Sequence, residues 1–212
     1  IYENGLKVFE AVDAYEAATR DAFAGQAREM RDESNATIAR IEWPPGGPMR
    51  MFTIVRQSCI DALAEAATKA GAEIVTGSEV AGATPEGELI LKDGRRFKAD
   101  LVVGADGVGS PTRDSLGLMK YRKALSEGAI RLLIPRTEEE RTAAESQIYV
   151  EYWSGPKRIL YSPCSDEWGY VALLAPNSDK AAMRTPIDVE LWSRSFPYLH
   201  SLFARIGDRG RW

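Results

Sequence analysis

Asp100-Leu101-Val102-Val103-Gly104-Ala105-Asp106-Gly107-Val108-Gly109-Ser110-Pro111-Thr112-Arg113 joins an apolar run, an Asp-Gly pair and a Ser-Pro pair within fourteen residues. Leu101 to Ala105 is a short continuous apolar run, the pattern expected of a strand buried on both faces of a parallel sheet. Such a strand delivers Asp106 at its end, where the ligands of α/β sheets gather. Two glycines, Gly107 and Gly109, let the backbone come close to a ligand, and Ser110-Pro111 suits an N-cap followed by the first residue of a helix. Asp-Gly by itself is ordinary turn chemistry. The whole run, with Arg113 behind it, is far more specific.

On its N-terminal side the chain reads as an α/β layer. Leu6, Val8, Phe9, Val12 and Tyr15 recur at helical spacing within residues 4–18, with Asn4 as a candidate cap. After an Ala-rich polar stretch, strands are expected at Thr37 to Trp43 and Met49 to Val55, separated by the Pro44-Pro45-Gly46-Gly47-Pro48 turn. A helix over Arg56 to Ala70 presents Ile60, Leu63, Ala64, Ala67 and Ala70 on one face and stops at Gly71. Strands follow at Ala72 to Val80 and Glu88 to Leu91, and Asp93-Gly94 turns the chain into Arg95 to Lys98. On the C-terminal side the texture changes. Gly128 to Pro135, Gln147 to Trp153, Arg158 to Pro163 and Gly169 to Pro176 are four strands whose connections are mostly too short for crossover helices, so their sheet should be antiparallel. Asp188 to Arg205 returns to a helical period, interrupted at Pro197. The expected fold is α/β (α+β), with residues 1–123 part of a Rossmann-like domain, 124–187 a mostly antiparallel β-sheet domain, and 188–212 a helix leading back.

Composition narrows the chemistry. The 212 residues carry 27 Lys+Arg against 31 Asp+Glu, a net charge of −4, which argues against nucleic acid. No apolar run approaches the roughly 20 residues of a membrane span, and a soluble, cytoplasmic protein is expected. Two cysteines, Cys59 and Cys164, and the single His200 exclude a disulfide framework, a zinc site and mechanisms needing two histidines, so no metal is expected. Chemistry must then come from a bound cofactor.

Gly104-Ala105-Asp106-Gly107-Val108-Gly109-Ser110 followed by Arg113 resembles the second fingerprint of the single-component FAD-dependent aromatic hydroxylases. The resemblance implies that Asp106, Gly107, Arg113, Arg56 and Val80 hold the flavin, with Val80 near the adenine end. Gly128 to Arg136, Arg158 to Cys164, Tyr170 and Pro186-Ile187-Asp188 are similar to the members that oxygenate a hydroxypyridine carboxylic acid, where the positions matching Arg131, Arg158 and Tyr170 face the substrate. It further implies NADH or NADPH as co-substrate, O₂ carried as a flavin C4a-hydroperoxide, a small hydroxylated aromatic or heteroaromatic acid as substrate, and compatibility with a homo-oligomer. The family's opening GxGxxG turn is absent, and Gly207-Asp208 is followed by Arg209-Gly210 rather than the small residues of its closing motif. Both pieces are expected to lie outside these residues, making the chain an internal fragment.

The residues themselves keep rivals open. Arg131 and Arg158 border apolar strands, and a buried guanidinium calls for an anion, supplied either by substrate or by Glu127, Glu145 or Glu151 at a sheet edge. Trp153, Trp168, Tyr149, Tyr152 and Tyr161 could stack on an aromatic ring or simply pack. At the level of function the alternatives are a flavin reductase or halogenase of the same fold, or a non-catalytic ligand-binding remnant.

Overall fold

The structure, a computed structural model, describes residues 1–43, 47, 49–143 and 147–206. The Pro44 to Pro48 turn falls largely outside these, and Glu145 and Gly207-Asp208 fall outside entirely. The chain forms two compact units, residues 1–72 with 125–212, and residues 73–124.

The larger unit begins with α1 (Glu3–Ala11) and α2 (Tyr15–Thr19). The single helix expected over 4–18 is broken by Asp13, whose φ of 56° lies in the left-handed region. Asn4 is not the cap; Tyr2 occupies that position, without a side-chain bond. Then come β1 (Phe23–Ala24), β2 (Ala27–Asp32), β3 (Thr37–Glu42), the short β4 (Phe52–Thr53) and α3 (Arg56–Lys69), which ends at Gly71 with φ 89°. Helix α3 buries a different face from the expected one. Ala62 packs with Cys59 and Ala66 against Ala14 and Ala18, while Ile60 and Leu63 are exposed. The small residues face inward because α2 and α3 lie close enough for backbone contact only where side chains are short.

The smaller unit holds β5 (Val80–Ala83), β6 (Glu88–Leu91) and β7 (Arg96–Lys98) in an antiparallel sheet, followed by α4 (Pro111–Ser115). Ala72 to Glu79 and Leu101 to Ala105, both expected as strands, are not strands here. A strand exists only through pairing, and neither run has a partner among the described residues. Leu101 and Val103 are accordingly 76% and 75% exposed rather than buried.

The four expected strands of the C-terminal half are all present: β8 (Glu127–Pro135), β9 (Ile148–Ser154), β10 (Lys157–Pro163) and β11 (Trp168–Pro176). Between β8 and β9 lies α5 (Glu138–Thr142), opened by a Thr137/Glu140 capping box. The strand order β3-β2-β9-β10-β11-β8 brings β2 and β3, from the first fifty residues, into the same six-stranded sheet. Strand β2 joins it by parallel pairing with β9, Ala27 opposite Ile148 through Asp32 opposite Trp153; the remaining neighbours are antiparallel. Compactness therefore divides the chain differently from the sequence reading, because a long-range parallel pairing leaves no local signature.

One face of this sheet carries Ile130, Leu132, Ile134, Ile159, Val171 and Leu173, buried against Trp192, Phe196 and Phe203 of the C-terminal helical segment. That segment is α6 (Val189–Ser195), a 3₁₀ turn at Pro197–Leu199, and α7 (His200–Ile206). Asp188 caps α6 by accepting from Leu191 N at 3.0 Å, and Pro197 interrupts the helix because it lacks an N–H and clashes with the preceding turn.

Candidate functional site

In the smaller unit the Asp106 loop is built by its own hydrogen bonds. Asp106 accepts from Ser110 Oγ through one oxygen and from Thr112 N at 3.0 Å through the other. Ser110 Oγ in turn accepts from Arg113 N at 3.0 Å, the N-cap expected from Ser110-Pro111. The Ser110 hydroxyl, then the Thr112 amide, hold the Asp106 carboxyl down at about 2. Gly104 is required by space, since a Cβ there would lie 2.7 Å from Thr112 Cγ2. Gly107 is required by its φ of 82°, and open space lies where its Cβ would stand. Arg113 donates to the Val108 carbonyl at 2.9 Å, so its guanidinium braces the turn. The result is an exposed glycine turn whose backbone a flat ligand can approach, beside a carboxylate that stays ionised.

Val80 and Asp106 line the same cavity of about 420 Å³, together with Leu89, Phe97, Gly104 and Thr112. Two of the residues expected at the flavin therefore converge. Arg56 opens α3 in the larger unit and is exposed.

The residues expected at the substrate are brought onto one sheet face by register. Residues directly opposite in neighbouring strands share a face. Arg131 lies opposite Ala172, Leu133 opposite Tyr170, Ser162 opposite Tyr170, Leu160 opposite Ala172 and Arg158 opposite Leu174. Positions 170, 172 and 174 point the same way along β11. Arg131, Arg158 and Tyr170 thus share the face turned away from the Trp192 core. Near Ser162 this face is covered: Thr53 Oγ1 and Ser162 Oγ lie 2.5 Å apart, and the Tyr149 hydroxyl donates to the Met51 carbonyl at 2.9 Å while accepting from Gly25 N at 3.0 Å.

The two arginines differ. Arg158 is ion-paired with Glu127 and, at 3.4 Å, with Glu151, and its guanidinium sits 4.8 Å from the centroid of the Trp153 ring. Glu151, with only 7% of its side chain exposed, also pairs with Arg28. Arg131 is exposed and makes no ion pair among the described residues. Tyr170 is half-buried; burial pushes its phenol up, and Arg131 and Arg56 pull the other way. The positive charge around Tyr170 therefore comes from one arginine expected at the substrate and one expected at the flavin.

Arg28 had no functional reading in the sequence. Its signal was legible only through the β2/β9 pairing, which places it opposite Tyr149 and diagonal to Glu151. Of the aromatic candidates, Trp153 meets Arg158, whereas Tyr152 and Tyr161 belong to the packed core face. His200 is exposed and contacts Ser193 Oγ through Nδ1 at 2.9 Å. Among the described residues no cluster of His, Cys, Asp or Glu could hold a metal ion, and no helix is long and apolar enough to cross a membrane.

A mostly antiparallel sheet presenting arginines and a tyrosine and, in the same chain, an Asp-Gly-Val-Gly turn before a capped helix are features suited to a flavin-binding protein. Residues 8–185 match the family described as FAD binding domain, and the chain belongs to that family. It is 39% identical over 199 residues to a Rhodococcus erythropolis protein named "Probable 2-heptyl-3-hydroxy-4(1H)-quinolone synthase AqdB2", covering 94% of this chain and 52% of that one. A Mycobacteroides abscessus protein named 2-heptyl-3-hydroxy-4(1H)-quinolone synthase is 33% identical, over 96% of this chain and 54% of its own. Among solved structures, the tetrameric form of 2-methyl-3-hydroxypyridine-5-carboxylic acid oxygenase superposes with a TM-score of 0.85 at 34% identity, over 97% of this chain and 55% of that one. The chain spans about half the length of the proteins it matches. The α/β fold and the FAD-binding family expected from the sequence are those found.

Proposed function

We propose that the full-length protein carrying this chain inserts one oxygen atom of O₂ into an electron-rich heteroaromatic ring, with NADH or NADPH supplying two electrons and the second oxygen atom leaving as water. The single observation that carries this reading is the register that sets Arg131, Arg158 and Tyr170 on one sheet face, in a chain of the FAD-binding family. The glycine turn fits a flavin: Asp106, Gly107 and Val80 would hold it, and Arg113 would keep the turn in shape. Bound there, the flavin supplies the hydride acceptance and oxygen activation that no side chain here provides.

The protein's own residues position and polarise the substrate. Tyr170 donates a hydrogen bond from its phenol to an oxygen on the ring, and the phenol, pushed up by burial, stays protonated at neutral pH. Arg131 stabilises negative charge that develops on the same oxygen as the ring becomes nucleophilic. A carboxylated ring is a second reading, favoured by Arg131, which is exposed and has no ion-pair partner among the described residues. The named relatives support a quinolone-type ring, and the structural neighbour supports a hydroxypyridine acid. Turnover of each ring class by the full-length flavoprotein under isotopically labelled O₂ tests the proposal. One labelled atom in the product with one equivalent of reduced nicotinamide consumed is expected; nicotinamide oxidation without label in the product would leave only a reductase.

A further inference from the structure

The same sheet face carries a row of four alternating charges, three of which have no part in the proposed function: Arg28, Glu151, Arg158 and Glu127, each paired with the next, with only Arg158 already placed at the substrate. The row sums to zero. Its members do not hold equally well. Glu127 is 40% exposed, and a pair at that position adds little because water screens it and either side chain swings away freely. Glu151 is buried and sits between two guanidinia. Separating a buried carboxylate from its partners leaves an uncompensated charge out of water, which is far more costly than losing the pair at the rim. An incoming carboxylate can therefore compete only with Glu127 at the rim, and it meets a row whose charges already cancel. Trp153 adds a third hold by offering its ring face to the same guanidinium.

We propose that Glu151 is a specificity-determining positioning residue, which pins Arg158 against Trp153, completes with Glu127 the neutralisation of Arg28 and Arg158, and so makes this face select an uncharged ring over a carboxylated one. Arg158 then presents a flat, neutralised guanidinium-on-indole edge suited to stacking rather than an anion clamp. The anion preference expected from two free arginines is reduced to what Arg131 alone can give. This deepens the reading of the sheet face as the substrate face and rests on it.

The test uses the full-length flavoprotein and a matched pair of rings, 4-hydroxyquinoline and its 2-carboxylate, which differ only in the charged group. The wild type should show kcat/KM at least about tenfold in favour of the neutral ring. In Glu151→Gln the ratio of carboxylate to neutral kcat/KM should rise about tenfold, chiefly through KM for the carboxylate, because 1.4 kcal/mol of restored attraction is a factor of ten. Adding Arg158→Met to that variant should erase the gain, and Glu151→Asp should restore the wild-type ranking. Flavin content and near-ultraviolet circular dichroism report folding. Should Glu151→Gln not fold, Glu127→Gln is expected to move the ratio in the same direction by about two- to threefold, as befits a rim pair. An unchanged ratio in whichever variant folds, or a gain that survives Arg158→Met, overturns the assignment of Glu151. Wild-type protein that binds flavin and oxidises nicotinamide yet accepts neither ring overturns the substrate-face reading itself.

Discussion

Ile159, Val171 and Leu173 in the six-stranded sheet are fully buried, whereas Leu101 and Val103 before the Asp106 turn stand about three-quarters exposed, at 76% and 75%. The two sets of residues have the same side-chain chemistry and lie in similar short apolar runs. What differs is pairing. Strands β10 and β11 have neighbours on both sides and a layer of aromatic residues beneath, so their apolar faces lose contact with water. The run before Asp106 meets neither condition within residues 73–124, and Leu101 and Val103 stay exposed to water. Asp106 nevertheless keeps its geometry, because its carboxylate is tied to Ser110 and Thr112 by local bonds rather than by the strand. The comparison separates two ways of positioning a functional residue: by tertiary register, as for Arg131, Arg158 and Tyr170, or by a local cap, as for Asp106.

The largest expected effect lies in the register-dependent region. Trp192 is fully buried, stacked with Phe196 at 6.3 Å between ring centroids, and donates to the Ala182 carbonyl at 3.2 Å. Trp192→Ala should cost about 3–5 kcal/mol in urea unfolding of the chain, since a large cavity opens beneath the sheet. A loss below about 1 kcal/mol would mean that the helical layer does not support the site face.

Next comes the local cap. At φ 82°, Gly107→Ala adds a strained Cβ and should destabilise the turn by about 1–2 kcal/mol, read as weaker flavin retention in the full-length protein with little change in the sheet's near-ultraviolet signal. A loss of both signals together would show that the two regions are not independent. Arg131→Met sharpens the other side of the comparison. It should raise KM for a carboxylated ring about tenfold, the loss of one charge-assisted contact, while leaving flavin content intact. Loss of flavin instead would place Arg131 at the cofactor.

A smaller effect concerns Asp106 itself. Its folded-state pKa of about 2 lies below the ordinary 3.8, so the stabilisation it brings is complete above the unfolded value and lost as pH falls from about 4 to about 2. A carboxyl titration followed by NMR should give a midpoint near 2 and move towards 4 in Ser110→Ala. The smallest effect belongs to the exposed run: Leu101→Ser should shift the stability of the 212-residue chain by no more than about 0.5 kcal/mol.

How much could be read beforehand depended on the range of the interaction. The four C-terminal strands, the Asp93-Gly94 turn, the helical period from Asp188 with its break at Pro197, and the Ser110 cap were all legible, because each is written in consecutive residues. Strand β2 was not. Its inward positions are Ala27, Glu29 and Arg31, and the burial of the last two depends on each other and on Arg40, which pairs with Glu29 at 2.5 Å from the neighbouring strand. No apolar alternation announces such a strand. The inward face of α3 was misread for a related reason: Cys59, Ala62 and Ala66 are chosen by close contact with α2, not by size. For the site, the residue types were legible while their states were not. Arg158 could be named, and Glu127 and Glu151 were among its candidate partners, but Arg28 at the far end of the charge row came from the parallel β2/β9 pairing alone.

Local chemistry by itself determined the Asp106 turn, since a glycine at positive φ, a serine cap and a proline at the first helical position need nothing beyond ten residues of chain. Tertiary structure alone decided that Arg28, Glu151, Arg158 and Glu127 form one neutral row, because charges separated by up to 130 positions meet only when strands pair, and a sheet face is defined by its neighbours rather than by its own sequence.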